Sequence, residues 1–160
     1  MNEHLQDFLH YLTIEKKLAK NTILAYKQDL LAYLNYLKTE HFIQSIEQIE
    51  RTHIIDYLGI MQKQGKAVTS IARTVSAIKA FHQFLYRDEI INENVTTHIE
   101  APKLTRTLPR VLSQSEVDQL LNEPDESNPY GLRNKAMLEL LSATGIRVSE
   151  LTQLNLNDLH

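Results

Sequence analysis

An arginine and a glutamate three residues apart are the sequence feature best suited to chemistry. Arg147 and Glu150 lie in Thr-Gly-Ile-Arg-Val-Ser-Glu-Leu at residues 144–151, just after the break that Gly145 imposes. At the start of a new helix, Glu150 can hold the guanidinium in place. A guanidinium held in this way suits a phosphate, because its planar fork donates two parallel hydrogen bonds and stays charged. By pattern alone, the simpler interpretation is a surface ion pair worth about 0–1 kcal/mol.

Other residue types that carry chemistry are absent or poorly spaced. The sequence has no cysteine, which excludes disulfides, thiolate metal sites and thiol nucleophiles. Its histidines show no metal-ligand spacing, and none before His160 is followed three residues later by arginine. The tyrosines fall in predicted helices, where packing is expected, except for Tyr130 in a predicted loop. We therefore expect no metal ion.

The charge of the chain is unevenly distributed. The formal net charge is −3, but 12 of the 17 basic residues lie in three stretches without acid. These residues are Lys16, Lys17, Lys20 and Lys27, then Lys63, Lys66, Arg73, Lys79 and Arg87, then Lys103, Arg106 and Arg110. A surface with segregated charge can bind a polyanion, so nucleic-acid binding and chance clustering on solvated helices are both open. No apolar run approaches the ~20 residues that span a bilayer, so we expect no membrane contact and a cytoplasmic protein.

Apolar residues recur with helical spacing over most of the chain, which predicts an all-α fold. In residues 1–99 we expect four helices with short connections, packed as a bundle. The fourth helix has an apolar stripe formed by Ile71, Val75, Ile78, His82 and Leu85. The expected caps of the second, third and fourth helices are Asn21 or Thr22, Thr52, and Thr69.

The fourth helix also has a face of basic and small residues. With about 100° per residue, Arg73, Ser76, Ala77, Ala80 and Arg87 lie on or near the side opposite the apolar stripe. Small residues allow another surface to approach closely, and the arginines could then contact phosphates or bases. For this helix alone, a solvent-exposed face with alanine for helix propensity is the simpler interpretation.

A linker is predicted at residues 101–110, where two prolines bracket a segment without helical period. We therefore expect a helical domain at 1–100 and a second domain at 111–160. Ser113 and Glu116 have the spacing of a capping box, which predicts a helix start there. The other elements expected in this domain are a loop at 124–131, a helix at 132–143 and a short helix from Val148.

Several segments together resemble the tyrosine recombinase family. Residues 144–151 are similar to that family's first conserved box, an arginine inside Thr-Gly-x-Arg-x-Ser-Glu-Leu. Residues 21–30 and 69–86 resemble the second and fourth helices of the family's core-binding domain, and 108–113 resemble the start of its catalytic domain. The resemblance covers essentially all 160 residues, and the register is most like the bacterial Xer type, in its XerC or XerD branch.

The resemblance implies a four-helix SAM-like core-binding bundle followed by the helical start of an α+β catalytic domain. It implies an enzyme that cuts and rejoins duplex DNA through a 3′-phosphotyrosine, needs no cofactor, and resolves chromosome dimers at cell division. Arg147 would be the first arginine of its phosphate clamp, with Glu150 in a supporting role. The family's remaining set is a lysine, a His-x-x-Arg box, a second histidine or tryptophan and the tyrosine. None has a counterpart here, so we expect an inactive piece of an enzyme about twice as long.

The resemblance also implies DNA contacts, which in the family come chiefly from the second and fourth helices. The implied DNA-binding residues are Lys20, Asn21, Thr22, Tyr26, Lys66, Ser70, Arg73, Lys79, Lys103 and Arg106. The implied partners are duplex DNA, a sister Xer recombinase in a heterotetramer on DNA, and a cell-division DNA translocase. The implied location is the cytoplasm, at the nucleoid.

Two other functions are compatible with the sequence. A transposon or phage integrase shares the chemistry, although the short N-terminus without an arm-binding domain argues against the phage type. A helical adaptor that binds proteins would give the Arg147–Glu150 pair a purely structural role. DNA binding weakens steeply with salt, which separates it from adaptor binding.

Overall fold

A computed structural model of the chain describes residues 1–103 and 111–158, at Leu156 for the backbone only. These residues form helices and turns, with no strand among them, which confirms the predicted all-α fold. None of the helices in these ranges is long and apolar enough to cross a membrane. The helices are α1 (Asn2–Ile14), α2 (Lys20–Glu40), α3 (Arg51–Lys63), α4 (Val68–Arg87), α5 (Gln114–Asn122), α6 (Pro129–Thr144) and α7 (Val148–Leu151), with 3₁₀ turns at Ile46–Gln48 and Leu156–Asp158.

The chain divides into two compact units, Met1–Arg106 and Thr107–His160. The first unit contains α1 to α4, and the second contains α5 to α7. The division falls inside the predicted linker at 101–110, most of which lies outside the described residues. The bounds of that linker stay a prediction.

Helix α4 is the central helix of the first unit and packs against α1, α2 and α3. Its predicted apolar stripe is buried throughout, because residues three and four apart lie on one side of a helix. Phe81, in the middle of α4, packs edge-on against Phe8 of α1, with 5.4 Å between the ring centroids. Full burial of a side chain of this kind contributes about 1.5–3 kcal/mol to stability. The buried residues of the four helices form one core, which confirms the predicted bundle.

The expected caps of α2, α3 and α4 are wrong by two or three residues. The helices begin after Ala19, Glu50 and Ala67, and the predicted caps Asn21, Thr22, Thr52 and Thr69 lie within the first turn. In α2 and α4 the alanine carbonyl already accepts the first helical hydrogen bonds. No side chain caps either helix, because the polar residues come too late in the sequence to occupy the cap position.

The second unit confirms one predicted helix start and corrects another. Ser113 caps α5 as expected: its backbone N–H donates to a carboxylate oxygen of Glu116 at 2.7 Å, and its hydroxyl accepts from the N–H of Glu116 at 3.4 Å. Helix α6 begins at Pro129, inside the segment predicted as a loop. Asn128 caps it by accepting from the N–H of Gly131 at 2.9 Å, and proline favours the first helical position.

Little of the second unit is buried. Among its described residues, Gly131 alone is buried, and Val111 and Val148 are 89% and 65% exposed. A Cβ atom added to Gly131 would lie 1.7 Å from the carbonyl oxygen of Asp125, so the start of α6 is pressed against the preceding loop. The described part of this unit therefore gains little stability from apolar burial.

Candidate nucleic-acid interface

Thr144 and Gly145 end α6 and set the position of Arg147. The Thr144 hydroxyl donates to the carbonyl of Leu140 at 2.6 Å. Gly145 adopts a left-handed conformation, with φ of 66°, and its N–H donates to the carbonyl of Leu141 at 2.9 Å. Glycine suits this position because it lacks the Cβ atom that disfavours positive φ. The chain then turns, and Arg147 becomes the residue that precedes α7.

Glu150 holds Arg147 through both of its carboxylate oxygens. One oxygen accepts from the backbone N–H of Arg147 at 2.8 Å, and the other accepts from Nη1 of its guanidinium at 3.1 Å. The predicted pairing of these two residues is therefore present in the structure. The Arg147 side chain is 81% exposed, and its other N–H groups have no partner among the described residues. Arg147 thus offers most of its guanidinium to a ligand.

The start of α2 presents backbone and side-chain donors together. Lys20 and Asn21 are exposed, while Thr22 and Tyr26 are half-buried. Because no side chain caps this helix, the N–H groups of Lys20 and Asn21 remain available to an anion, as does the positive end of the helix dipole. Helix N-termini of this kind bind phosphate.

The start of α4 is built in the same way and borders a groove. The N–H of Ser70 donates to the carbonyl of Ala67 at 2.9 Å, as that of Thr22 does to Ala19, and no side chain caps the helix. A groove of about 450 Å³ lies between α2, α3 and α4. Lys66, Ser70 and Arg73 all line it, so the structure brings three of the predicted DNA-binding residues together.

Arg73 is paired with an acidic residue that sequence reasoning did not identify as its partner. Its Nε and Nη2 atoms donate to the two carboxylate oxygens of Asp29 in α2, at 2.8 and 3.0 Å. Hydrogen bonding to Asp29, with its negative charge, raises the pKa of Arg73 above its ordinary value. The side chain of Asp29 is 11% exposed and that of Arg73 is 47% exposed. The one available signal was that Asp29 is the sole acid between Glu15 and Glu40.

The remaining predicted contacts differ in their surroundings. Lys79 is half-buried, and its ammonium donates to the carbonyl of Ile99 at 3.0 Å, a use that its sequence position did not suggest. Lys103 is exposed, and Arg106 lies outside the described residues. The residues above therefore fall into two groups at the starts of α2 and α4, with Lys79 and Lys103 apart from them.

The outer face predicted for α4 is partly wrong. Arg73, Ser76 and Arg87 are exposed and Ala80 is half-buried, but Ala77 is fully buried. Because α4 packs against three helices, its buried side is wider than a single stripe and includes position 77. The exposed side of this helix is correspondingly narrow.

The arrangement is suited to binding a polyanion through arginine, lysine and backbone N–H groups. Within residues 1–103 and 111–158, no three His, Asp or Glu side chains come together in a way that could hold a metal ion.

Two family models match the chain. The model described as "Phage integrase, N-terminal SAM-like domain" matches residues 5–89, and "Phage integrase family" matches residues 110–160. A crystal structure of XerA recombinase is similar at 26% identity and a TM-score of 0.49, covering 99% of this chain and 51% of that one.

Curated relatives match along nearly the whole chain. The tyrosine recombinase XerD of Halalkalibacterium halodurans is 49% identical over 160 residues, which are 100% of this chain and 54% of the relative. XerD of Oceanobacillus iheyensis is 48% identical over 156 residues, covering 98% of this chain and 52% of the relative. XerD of Staphylococcus aureus is 42% identical, covering 100% and 54%. The chain spans about half the length of these relatives.

The first family model covers more than half of the chain, with all of α2, α3 and α4 and most of α1, while the second includes the arginine box. The chain belongs to the phage integrase family, the family of the tyrosine recombinases.

Proposed function

We propose that the whole protein is a site-specific tyrosine recombinase of the Xer type, which resolves chromosome dimers at cell division. Residues 1–160 would supply its DNA grip and its first catalytic arginine. The observation that carries this proposal is the arginine box, in which Glu150 holds an exposed Arg147 inside the part of the chain that the family model matches. The XerD relatives, identical at up to 49% of positions, support the Xer type.

The reaction proposed for the whole enzyme is two transfers of a phosphoryl group. A tyrosine attacks the scissile phosphate, which forms a 3′-phosphotyrosine and releases a 5′-hydroxyl. A 5′-hydroxyl of another strand then attacks the phosphotyrosine and restores the DNA backbone. Because the covalent intermediate retains the energy of the broken bond, the reaction needs no nucleotide cofactor.

Arg147 would act where negative charge accumulates on the phosphate oxygens. A guanidinium that donates to those oxygens stabilises the five-coordinate transition state more than the starting phosphodiester. Glu150 would be a positioning residue, since its contacts are to Arg147 itself. The sequence has no His-x-x-Arg, so we propose that these 160 residues bind DNA without cleaving it.

The proposed grip uses the starts of α2 and α4 together with the linker. Lys20 and Asn21 are exposed at the first turn of α2, and Lys66 and Ser70 line the groove beside α4. Phosphate contacts of this kind fix the position and orientation of a protein on the duplex, while contacts to base edges carry sequence information. We retain Thr22, Tyr26, Arg73, Lys79, Lys103 and Arg106 as proposed contacts, and 1–100, 101–110 and 111–160 as the proposed domain, linker and second domain.

Duplex binding by the 160-residue chain, measured across a range of salt concentrations, tests this proposal. The logarithm of the association constant should fall linearly with the logarithm of the salt concentration, by about 0.9 for each phosphate contact. Lys66→Ala should reduce that slope by about one contact. Lys38→Ala removes the same charge from the last turn of α2, at a residue that does not line the groove, and serves as the control. Salt-insensitive binding, or none, would overturn the proposal.

We further propose that the whole enzyme works in a heterotetramer with a sister Xer recombinase on its DNA site, under control of a cell-division DNA translocase. This assembly would form in the cytoplasm, at the nucleoid. The support is the similarity to relatives named XerD. Adding the sister recombinase to a complex of the whole enzyme with duplex DNA should produce a complex that migrates more slowly in a native gel. Unchanged migration would overturn the proposed heterotetramer.

A further inference from the structure

Asp29 is an unexpected residue on a surface proposed to bind DNA. Helix α4 has no acidic residue, and in α2 the acids are Asp29 and, at the last position, Glu40. Asp29 lies beside the groove that contains Lys66, Ser70 and Arg73. A carboxylate repels the phosphates of DNA, so its presence there calls for a specific role or a purely structural one.

The geometry of the Asp29–Arg73 pair leaves one edge of the guanidinium free. The Nε and Nη2 atoms of Arg73 each donate to a different oxygen of Asp29, at 2.8 and 3.0 Å. A guanidinium has five N–H groups in a plane. The edge formed by Nη1 and the second N–H of Nη2 has no partner among the described residues. Asp29 thus fixes the plane of the guanidinium and leaves two parallel donors on its outer edge.

Pairing also changes which DNA group Arg73 can bind favourably. Arg73 and Asp29 together carry no net charge, so the pair has little long-range attraction for phosphate. Hydrogen bonds to a base edge act at short range and do not require net charge. Guanine presents two acceptors, N7 and O6, in the major groove, and an arginine with two parallel donors is their commonest partner.

The surroundings of Arg73 allow a duplex to approach it. Arg73 is 47% exposed at its side chain and lies on α4, a helix of 20 residues. The major groove admits an α-helix. Beside Arg73 on the exposed side lie Thr69, one turn before it, and Ser76, one turn after it, and both have short side chains.

We propose that Asp29 positions Arg73 so that the free edge of its guanidinium reads a guanine in the major groove of the bound duplex. Arg73 is then a specificity-determining residue, and Asp29 is the residue that orients it. This inference rests on the proposed DNA-binding function and adds to it a base contact at a named residue. The alternative is that the pair only connects α2 to α4.

The test selects preferred sites from a pool of random-sequence duplexes with the 160-residue chain and its variants. Arg73→Lys keeps the positive charge but loses the two parallel donors, and Asp29→Asn keeps the shape of the side chain but loses one acceptor and the charge. Asp88→Asn is the matched control, because Asp88 follows the last residue of α4 and accepts from Nε and Nη2 of that residue, Arg87, at 2.9 Å. Thermal unfolding of each variant is measured alongside.

The wild-type chain should enrich guanine at one position of its site by about five- to 150-fold, the range of one good bidentate contact. Arg73→Lys and Asp29→Asn should lose most of this preference, while Asp88→Asn should keep it. For random duplexes, Asp29→Asn should bind as tightly as the wild type or more tightly, because it removes a negative charge. If Asp29→Asn does not stay folded at the assay temperature, Arg73→Lys alone decides, since it leaves the half-buried carboxylate of Asp29 with a cationic partner.

Two results would overturn the inference and leave the proposed function intact. If Arg73→Lys weakens all sequences equally, or lowers the salt slope without changing base preference, Arg73 is a phosphate contact. If Asp29→Asn lowers the unfolding temperature and keeps the guanine preference, the pair is only a structural link. If the wild-type chain is not retained on any duplex, the proposed function itself is overturned, and this inference with it.

Discussion

Acidification should destabilise the helical bundle through one histidine. His82 lies in α4 with 1% of its surface exposed, and its Nε2 atom is 3.3 Å from the hydroxyl of Tyr33 in α2. Its Nδ1 atom is buried and has no hydrogen-bond partner among the described residues. Burial disfavours the charged imidazolium and lowers the pKa of His82 from 6.5 to about 4.

The sign and size of the effect follow from that pKa. The unfolded chain binds a proton at His82 below pH 6.5, whereas the folded chain does so only below about pH 4. The stability contributed by neutral His82 is therefore fully present above pH 6.5 and is lost as the pH falls towards 4. Each pKa unit corresponds to about 1.4 kcal/mol, so the total loss is about 3 kcal/mol, a large share of the 5–15 kcal/mol typical of a domain.

Urea unfolding between about pH 7 and pH 4 measures this loss. His82→Gln keeps an acceptor for the hydroxyl of Tyr33 but cannot titrate. Between about pH 7 and pH 4, the free energy of unfolding of this variant should therefore fall by about 3 kcal/mol less than that of the wild type. Carboxylates titrate in both proteins alike, so the difference between the two curves isolates His82. His10→Gln changes an exposed histidine of α1 and should follow the wild type. Parallel curves for the wild type and His82→Gln would refute the reasoning.

Two further predictions concern the second unit. In the protein extended to the length of its relatives, Arg147→Lys should leave DNA binding nearly intact. It should slow formation of the covalent tyrosyl–DNA complex by about 10²–10³-fold, the usual effect of losing one transition-state donor. The covalent complex is measured on a denaturing gel, and an unchanged rate would exclude Arg147 from the phosphate clamp. Gly131→Ala should reduce helix content measured by circular dichroism, because its Cβ atom would lie 1.7 Å from the carbonyl oxygen of Asp125. Gly59→Ala lies in the middle of α3, with nothing within 4 Å of the added Cβ atom, and should instead stabilise its helix by about 0.5–1 kcal/mol. If Gly131→Ala and Gly59→Ala change helix content equally, the clash inferred at Gly131 is contradicted.

Helical periodicity was enough to predict the bundle but not all of its buried residues. The stripe of α4 is buried as the spacing requires, since the core contacts that helix along its length. In α3, Leu58 is spaced four residues after Ile54 and three before Met61, a pattern that predicts an inward side chain, whereas the structure buries Tyr57 and leaves Leu58 half-buried. Tyr57 is buried because its ring packs against that of Tyr33 in α2, with 5.4 Å between centroids. A contact between helices of this kind has no signal in the local pattern.

Helix starts depend on which residue supplies the first backbone acceptor, and the sequence shows this only in part. Asn128 followed by Pro129 is a readable start signal, so the loop expected at 124–131 was wrong from Pro129 onward. At Ala19 and Ala67 no such signal exists, since alanine is a poor cap. The consequence matters for function, because an uncapped start leaves its N–H groups available to a phosphate.

The two arginines that carry the proposals, Arg147 and Arg73, differ in how their acidic partners hold them. Glu150 is three residues from Arg147, so local spacing predicts that pair, while Asp29 and Arg73 are 44 residues apart and meet only because α2 packs against α4. The Arg147 guanidinium makes a single 3.1 Å bond to Glu150 and its side chain is 81% exposed, so it is oriented at one nitrogen and its other donors are open to a reacting phosphate. The Arg73 guanidinium makes two bonds to a largely buried carboxylate, so it keeps a fixed plane. Stabilising a transition state needs an oriented cation with donors open to the reacting phosphate, and distinguishing bases needs two parallel donors in a fixed plane, which is why we assign chemistry to Arg147 and base recognition to Arg73.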